Sequence, residues 1–89
     1  MENKKVAEVV TTIANKHNVP VDTVVSIKRG TPAVCDARSE AIVRVRLTMP
    51  ELTLDDIGQE FGGRDLTTIA TTVRKHRHKY PELSPNDNS

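Results

Sequence analysis

The chain has 89 residues, with 13 Lys or Arg against 12 Asp or Glu, a single Cys, Tyr and Phe, and no Trp. A chain this short makes one domain that buries roughly 60% of its unfolded surface, which excludes a second domain, a large active-site cleft or an ATPase module. No apolar run nears the roughly 18 residues that span a bilayer, no signal core follows MENKK, and one Cys forms no internal disulfide, so a reducing cytoplasm is expected.

Apolar spacing is helical almost throughout. Val6, Val9, Val10, Ile13 and Ala14 share one face of a first helix, while Thr11, Thr12, Asn15 and Lys16 take the other. Asn18 and Pro20 close it, and Val21, Val24 and Val25, with Asp22 in the first turn, predict a short second helix before the loop SIKRGT. Val-rich segments also suit strands, but no period of two is sustained and no hairpin dipeptide separates two such runs. Thr31 followed by Pro32 reads as an N-cap and first helical residue. The third helix then turns Val34, Ala37, Ala41, Ile42 and Val45 inward, with Arg38, Arg44 and Arg46 outward or at the rim, and ends at Pro50.

Thr53 and Asp56 have the spacing of a reciprocal capping box, opening a fourth helix whose core stripe is Leu54, Ile57 and Phe61. Gly62 and Gly63 end it. Asp65 starts a fifth helix, its carboxylate placed to accept a backbone N–H two or three residues ahead, with Leu66, Ile69, Val73 and Tyr80 on one side. The tail PELSPNDNS, residues 81–89, has too little apolar content to pack and is expected to be mobile.

Near-neutral charge conceals stripes. Residues 1–25 carry three positive and three negative charges, 26–46 five and two, 47–66 one and five, and 67–80 four positive with no acid. Two short helices joined by a glycine turn, with Thr67, Thr71, Arg74, Lys75 and His78 facing away from Ile69, form a helix-turn-helix candidate. Threonines reach base edges without filling a groove, and the cations beyond them suit phosphates. A solvated polar helix has the same pattern.

The run LTLDDIGQEFGGRDLTTIATTVRK, positions 52–75, closely resembles the C-terminal DNA-binding domain of the bacterial replication initiator DnaA, whose signature centres on GGRD-x-TT. The resemblance extends back through the loop IKRG and the helix CDARSEAIVRVRLT, covering most of positions 6–78. It implies an all-α domain over residues 1–80 with about five helices and a helix-turn-helix of the Trp repressor and DnaA C-terminal kind. The implied partner is double-stranded DNA carrying a short, asymmetric, A·T-rich box, with no cofactor. The resemblance assigns Arg64, Asp65, Leu66, Thr67 and Thr68 to the major groove, to which the outward-facing Thr71 is added from the helix geometry, and Lys28 and Arg29 to the minor groove. Arg38 has the position of a phosphate-gripping arginine. With Ser39, Arg44, Arg74, Lys75 and His78 it makes the expected phosphate set, and contacts from four to six of the cations Lys28, Arg29, Arg38, Arg44, Arg74 and Lys75 give a salt slope of about −4 to −5.

Three departures matter. The family usually has His at Leu66, where an apolar contact to a thymine methyl or inward packing is the alternative. Its loop often carries an arginine where this chain has Gly30, and a Gln where it has Ser39. No G-x-x-x-x-G-K-S/T segment is present, and the chain begins with Met1 just ahead of the matching region, so a free-standing, nucleoid-associated reading head without a motor is expected. Such a head can compete for initiator boxes, regulate transcription, or serve a phage or mobile element.

The second class of function is protein interaction. The acidic stretch Glu51 to Glu60 and the Val-rich first helix can meet DnaA, another replication protein or a second copy, as a monomer or weak homodimer. His76 and His78 point about 200° apart on a helix, so no shared metal is expected. Cys35 reads as a small buried residue, and Asp55 and Asp56 as helix N-terminal acids, with no enzyme implied.

Overall fold

A computed structural model describes residues 3–80, and the tail expected at 81–89 lies outside them. The helices are α1 (Lys4–Lys16), α2 (Val21–Val24), α3 (Pro32–Thr48), α4 (Leu54–Glu60) and α5 (Leu66–His76), with a 3₁₀ turn at Arg77–Lys79. The described residues hold no strand, so the all-α expectation is met.

Local chemistry sets most boundaries. The Asn3 side chain accepts from Lys5 and Val6 N–H at 2.9 and 3.1 Å to open α1. Asn18, with φ 58°, reverses the chain beyond its end. Thr31 Oγ1 accepts from Val34 N–H at 3.2 Å, with Pro32 as first helical residue of α3. At α4 the capping box is complete: Asp56 N–H donates to Thr53 Oγ1 at 3.0 Å, and Thr53 N–H to Asp56 Oδ2 at 3.1 Å.

The core joins Val6, Val10, Ile13 and Ala14 of α1 to Val24, Ala37, Ala41, Ile42, Val45, Ile57, Phe61, Ile69 and Val73. α3 is the hub, packing against α1, α2, α4 and α5. Its buried residues run around its circumference, including Val43 and two charged residues, Arg38 and Glu40, which marks a helix enclosed on several sides. Arg38, expected outward, is 7% exposed. Glu40, 1% exposed, accepts from Lys16 Nζ at 2.8 Å, pairs with His17 Nε2 at 2.8 Å and receives Arg44 at 3.5 Å. These contacts clasp the end of α1 to the middle of α3. Among the described residues no helix is long and apolar enough to cross a membrane.

Candidate nucleic-acid interface

The turn between α4 and α5 is built around one carbonyl. Gly58 O accepts from the N–H groups of Phe61, Gly63 and Arg64 at 3.1, 3.0 and 2.9 Å. Gly58 is buried, and a Cβ there would run into the Arg64 carbonyl. Gly62 and Gly63 take φ of 87° and 79°, a left-handed conformation that side chains resist. α5 leaves this turn with Ile69 and Val73 inward and its N-terminal end in solvent.

Asp65 has the extended backbone of an N-cap, but its carboxylate makes no capping hydrogen bond, contrary to the expectation. The acceptor stays open at the head of the helix. Leu66 does not join the core stripe: it is 48% exposed, and Thr67, Thr68 and Thr71 are exposed beside it. Thr67, Thr68, Thr71, Thr72, Lys75 and His76 line a shallow depression of about 290 Å³ along the outer face. Arg74, Lys75 and His78 are exposed beyond it, and the cations at the C-terminal end also complement the helix dipole. His76 lies at the rim. Its burial, then the charges of Lys79, Lys75 and His78, lower its pKa against the opposing pull of Asp36.

The loop between α2 and α3 is bound to this turn. Arg64 NH2 donates to Ser26 O at 3.0 Å and Ile27 O at 3.3 Å, so its guanidinium reaches the loop. A Cβ on Gly62 would lie 2.7 Å from Ile27 N and 2.8 Å from Val25 O, so turn and loop backbones are in near contact. From the other side Arg38 donates through Nε to Val24 O at 3.0 Å, NH2 to Thr23 O at 2.8 Å and NH1 to Arg29 O at 3.1 Å. Its pKa is lowered by burial and then by the charge of Arg64, the two guanidiniums bonding different carbonyls of the same segment, residues 23–29. The Cys35 thiol also donates to Arg29 O, at 3.1 Å. Lys28 and Arg29 stay exposed, with their loop's acceptors turned inward.

The structure thus groups Asp65, Leu66, Thr67, Thr68 and Thr71 on one exposed helix end and sets Lys28 and Arg29 beside it through Arg64. Ser39 is half-buried on α3, and Arg44 faces Glu40. Sequence reasoning missed the inward turn of Arg38, the loop contact of Arg64 and the need for Gly58. The encircled apolar pattern of α3 was the one signal that a charged residue there could be enclosed. Among the described residues no group of three or more His, Cys, Asp or Glu is placed to hold a metal ion.

A comparison with curated proteins finds no match. A family model described as the bacterial dnaA protein helix-turn-helix matches residues 6–75, spanning α1 to the last turn of α5. With the helix-turn-helix seen at residues 54–76, the chain belongs to the bacterial DnaA helix-turn-helix family of DNA-binding domains.

Proposed function

We propose that this chain binds double-stranded DNA sequence-specifically at a box of the DnaA type, and acts without ATP hydrolysis as a regulator of replication or transcription. The observation that carries this reading is the pairing of an open helix end, rich in small polar groups, with a basic loop bonded to the same turn. In the major groove Asp65 accepts from an exocyclic amine, Thr67, Thr68 and Thr71 meet base edges, and Leu66 covers a thymine methyl. Lys28 and Arg29 address the neighbouring minor groove. Arg74, Lys75, His78 and Ser39 hold phosphates, while Arg38 and Arg64 act by positioning the loop.

Selection of bound sequences from a random duplex pool tests binding and box identity together. Thr67→Ala or Asp65→Ala is expected to lower discrimination between the selected box and a scrambled duplex by about 1–3 kcal/mol per lost base contact. Lys75→Ala is expected to weaken both duplexes alike. Equal losses on both duplexes for all three variants would refute the division into reading and gripping residues.

A second reading, a module that binds DnaA or another replication protein, is favoured by one observation. A depression of about 790 Å³ is lined by Asn3, Val25, Leu52, Asp56, Gln59, Glu60 and Gly62, and none of the exposed threonines of α5 lines it. Binding to purified DnaA in the absence of any selected box would favour it.

A further inference from the structure

The loop that carries Lys28 and Arg29 also carries a side chain that neither its charge nor the core explains. Ile27 is 57% exposed, and with Leu66 it makes the pair of exposed large apolar side chains among the described residues. A single apolar residue on a surface is ordinary. The setting of Ile27 is not, because both large apolar residues left in water border the same turn, and one already opens the helix proposed to enter the major groove.

Ile27 is also held. Its carbonyl accepts from Arg64 at 3.3 Å, and the preceding carbonyl accepts from the same nitrogen at 3.0 Å. Its N–H side abuts Gly62, and Lys28 N–H donates to Ser26 Oγ at 3.0 Å. Arg38 fixes the far end of the loop through Arg29 O. A pinned backbone and a β-branched side chain that is stiff at χ1 fix where the apolar group projects, so little entropy remains to be lost on insertion. Gly30, with φ 78°, adds no side chain beside it. One aliphatic residue next to two cations is far too small for a stable protein interface of about 1,000 Å². It does match the chemistry of a minor-groove wedge, an apolar group inserted between base pairs while neighbouring cations hold the phosphates.

We infer that Ile27 is such a wedge: it enters a base step of the minor groove flanking the box, unstacks it and kinks the duplex there. This rests on the DNA-binding reading above. The wedge gives the loop a sequence preference without hydrogen bonds, because pyrimidine–purine steps unstack more easily than rigid A-tracts.

The test uses the full chain and a selected box duplex labelled at both ends, with bending read by energy transfer and affinity by anisotropy. Wild-type protein is expected to bend the duplex by about 20–90°. Ile27→Ser is expected to remove the bend and weaken binding about tenfold, the loss of one buried aliphatic contact. The salt slope of affinity stays unchanged, since no phosphate contact is lost, and so does the melting temperature, since the side chain is exposed. Ile27→Met, which keeps an apolar group, is expected to retain the bend. A wild-type complex with a straight duplex, or a bend that survives Ile27→Ser, would overturn the wedge while leaving box binding intact. Loss of self-association or of DnaA binding in Ile27→Ser, with bending untouched, overturns it in favour of a protein contact. Absence of any selected box overturns the function reading and the wedge together.

Discussion

Arg38 differs from the other cations of this chain in what surrounds its guanidinium: three backbone carbonyls from two consecutive segments, at 2.8–3.1 Å, and almost no water. A planar fork can satisfy three divergent acceptors, whereas a Lys ammonium is a single point at the end of a flexible stem. Arg38→Lys is therefore expected to lower stability by about 1–3 kcal/mol in urea denaturation, through buried acceptors left unpaired. A surface phosphate grip would tolerate the same change without loss of stability. Glu40 is the matching buried acid. Burial alone pushes its carboxyl up, but hydrogen bonds from Lys16 and His17 and their charges outweigh burial and hold it below the ordinary value of 4.5. A carboxyl depressed in the folded state contributes stability above its unfolded pKa, and that stability is lost as pH falls below about 4.5 through the folded value. Glu40→Gln is thus expected to be less stable than wild type at pH 7, with the gap narrowing toward pH 3 in parallel denaturation curves. Neither residue was legible from periodicity. A helical wheel places charge outward by default, and the partners on other segments, 9 to 24 residues away, leave no local trace.

At the scale of elements, helix starts were legible and the contacts between segments were not. The Thr31–Pro32 start and the Thr53–Asp56 box depend on groups within three residues of one another, so their spacing is their mechanism. Asp65 marked the start of α5 correctly, yet its unused carboxylate shows that the residue type at a boundary does not fix what the side chain does there. The attachment of the loop to the turn spans 37 and 38 residues and has no sequence signature. The two turn glycines separate these effects. Both have positive φ, but a Cβ on Gly63 meets open space, whereas one on Gly62 meets the backbone of residues 25–27. Gly63→Ala is expected to cost about 1–2 kcal/mol of stability, the left-handed penalty alone, with box affinity preserved after correction for the folded fraction. Gly62→Ala is expected to cost more and also to weaken box binding in the folded protein, because it pushes the basic loop away from α5. Thermal denaturation and anisotropy on the same two variants check both.

At the scale of the whole molecule, the net charge of +1 is a sum over faces, and the fold decides which charges can be seen by a partner. The described residues extend 35 Å along their longest axis, close to one turn of a DNA duplex at about 34–36 Å, so a single copy can reach a major groove and the minor groove beside it. The stripes of charge at 26–46 and 67–80 were legible as counts, but a count treats all cations alike. Three-dimensional packing does not: Arg38 is enclosed and Arg44 faces Glu40, which leaves Lys28, Arg29, Arg74 and Lys75 exposed from the six cations first considered. Each phosphate neutralised on a duplex contributes about −0.9 to the slope of log K against log salt, so four contacts give about −3.6, the shallow end of the range, where all six would give about −5.4. Titrating box affinity between low and physiological salt distinguishes the two, and Arg29→Ala and Lys75→Ala are each expected to reduce the slope by about 0.9 while Arg44→Ala leaves it unchanged. A wild-type slope near −5, with a reduction on Arg44→Ala, would mean that the Glu40 clasp opens on DNA and releases Arg44 to a phosphate.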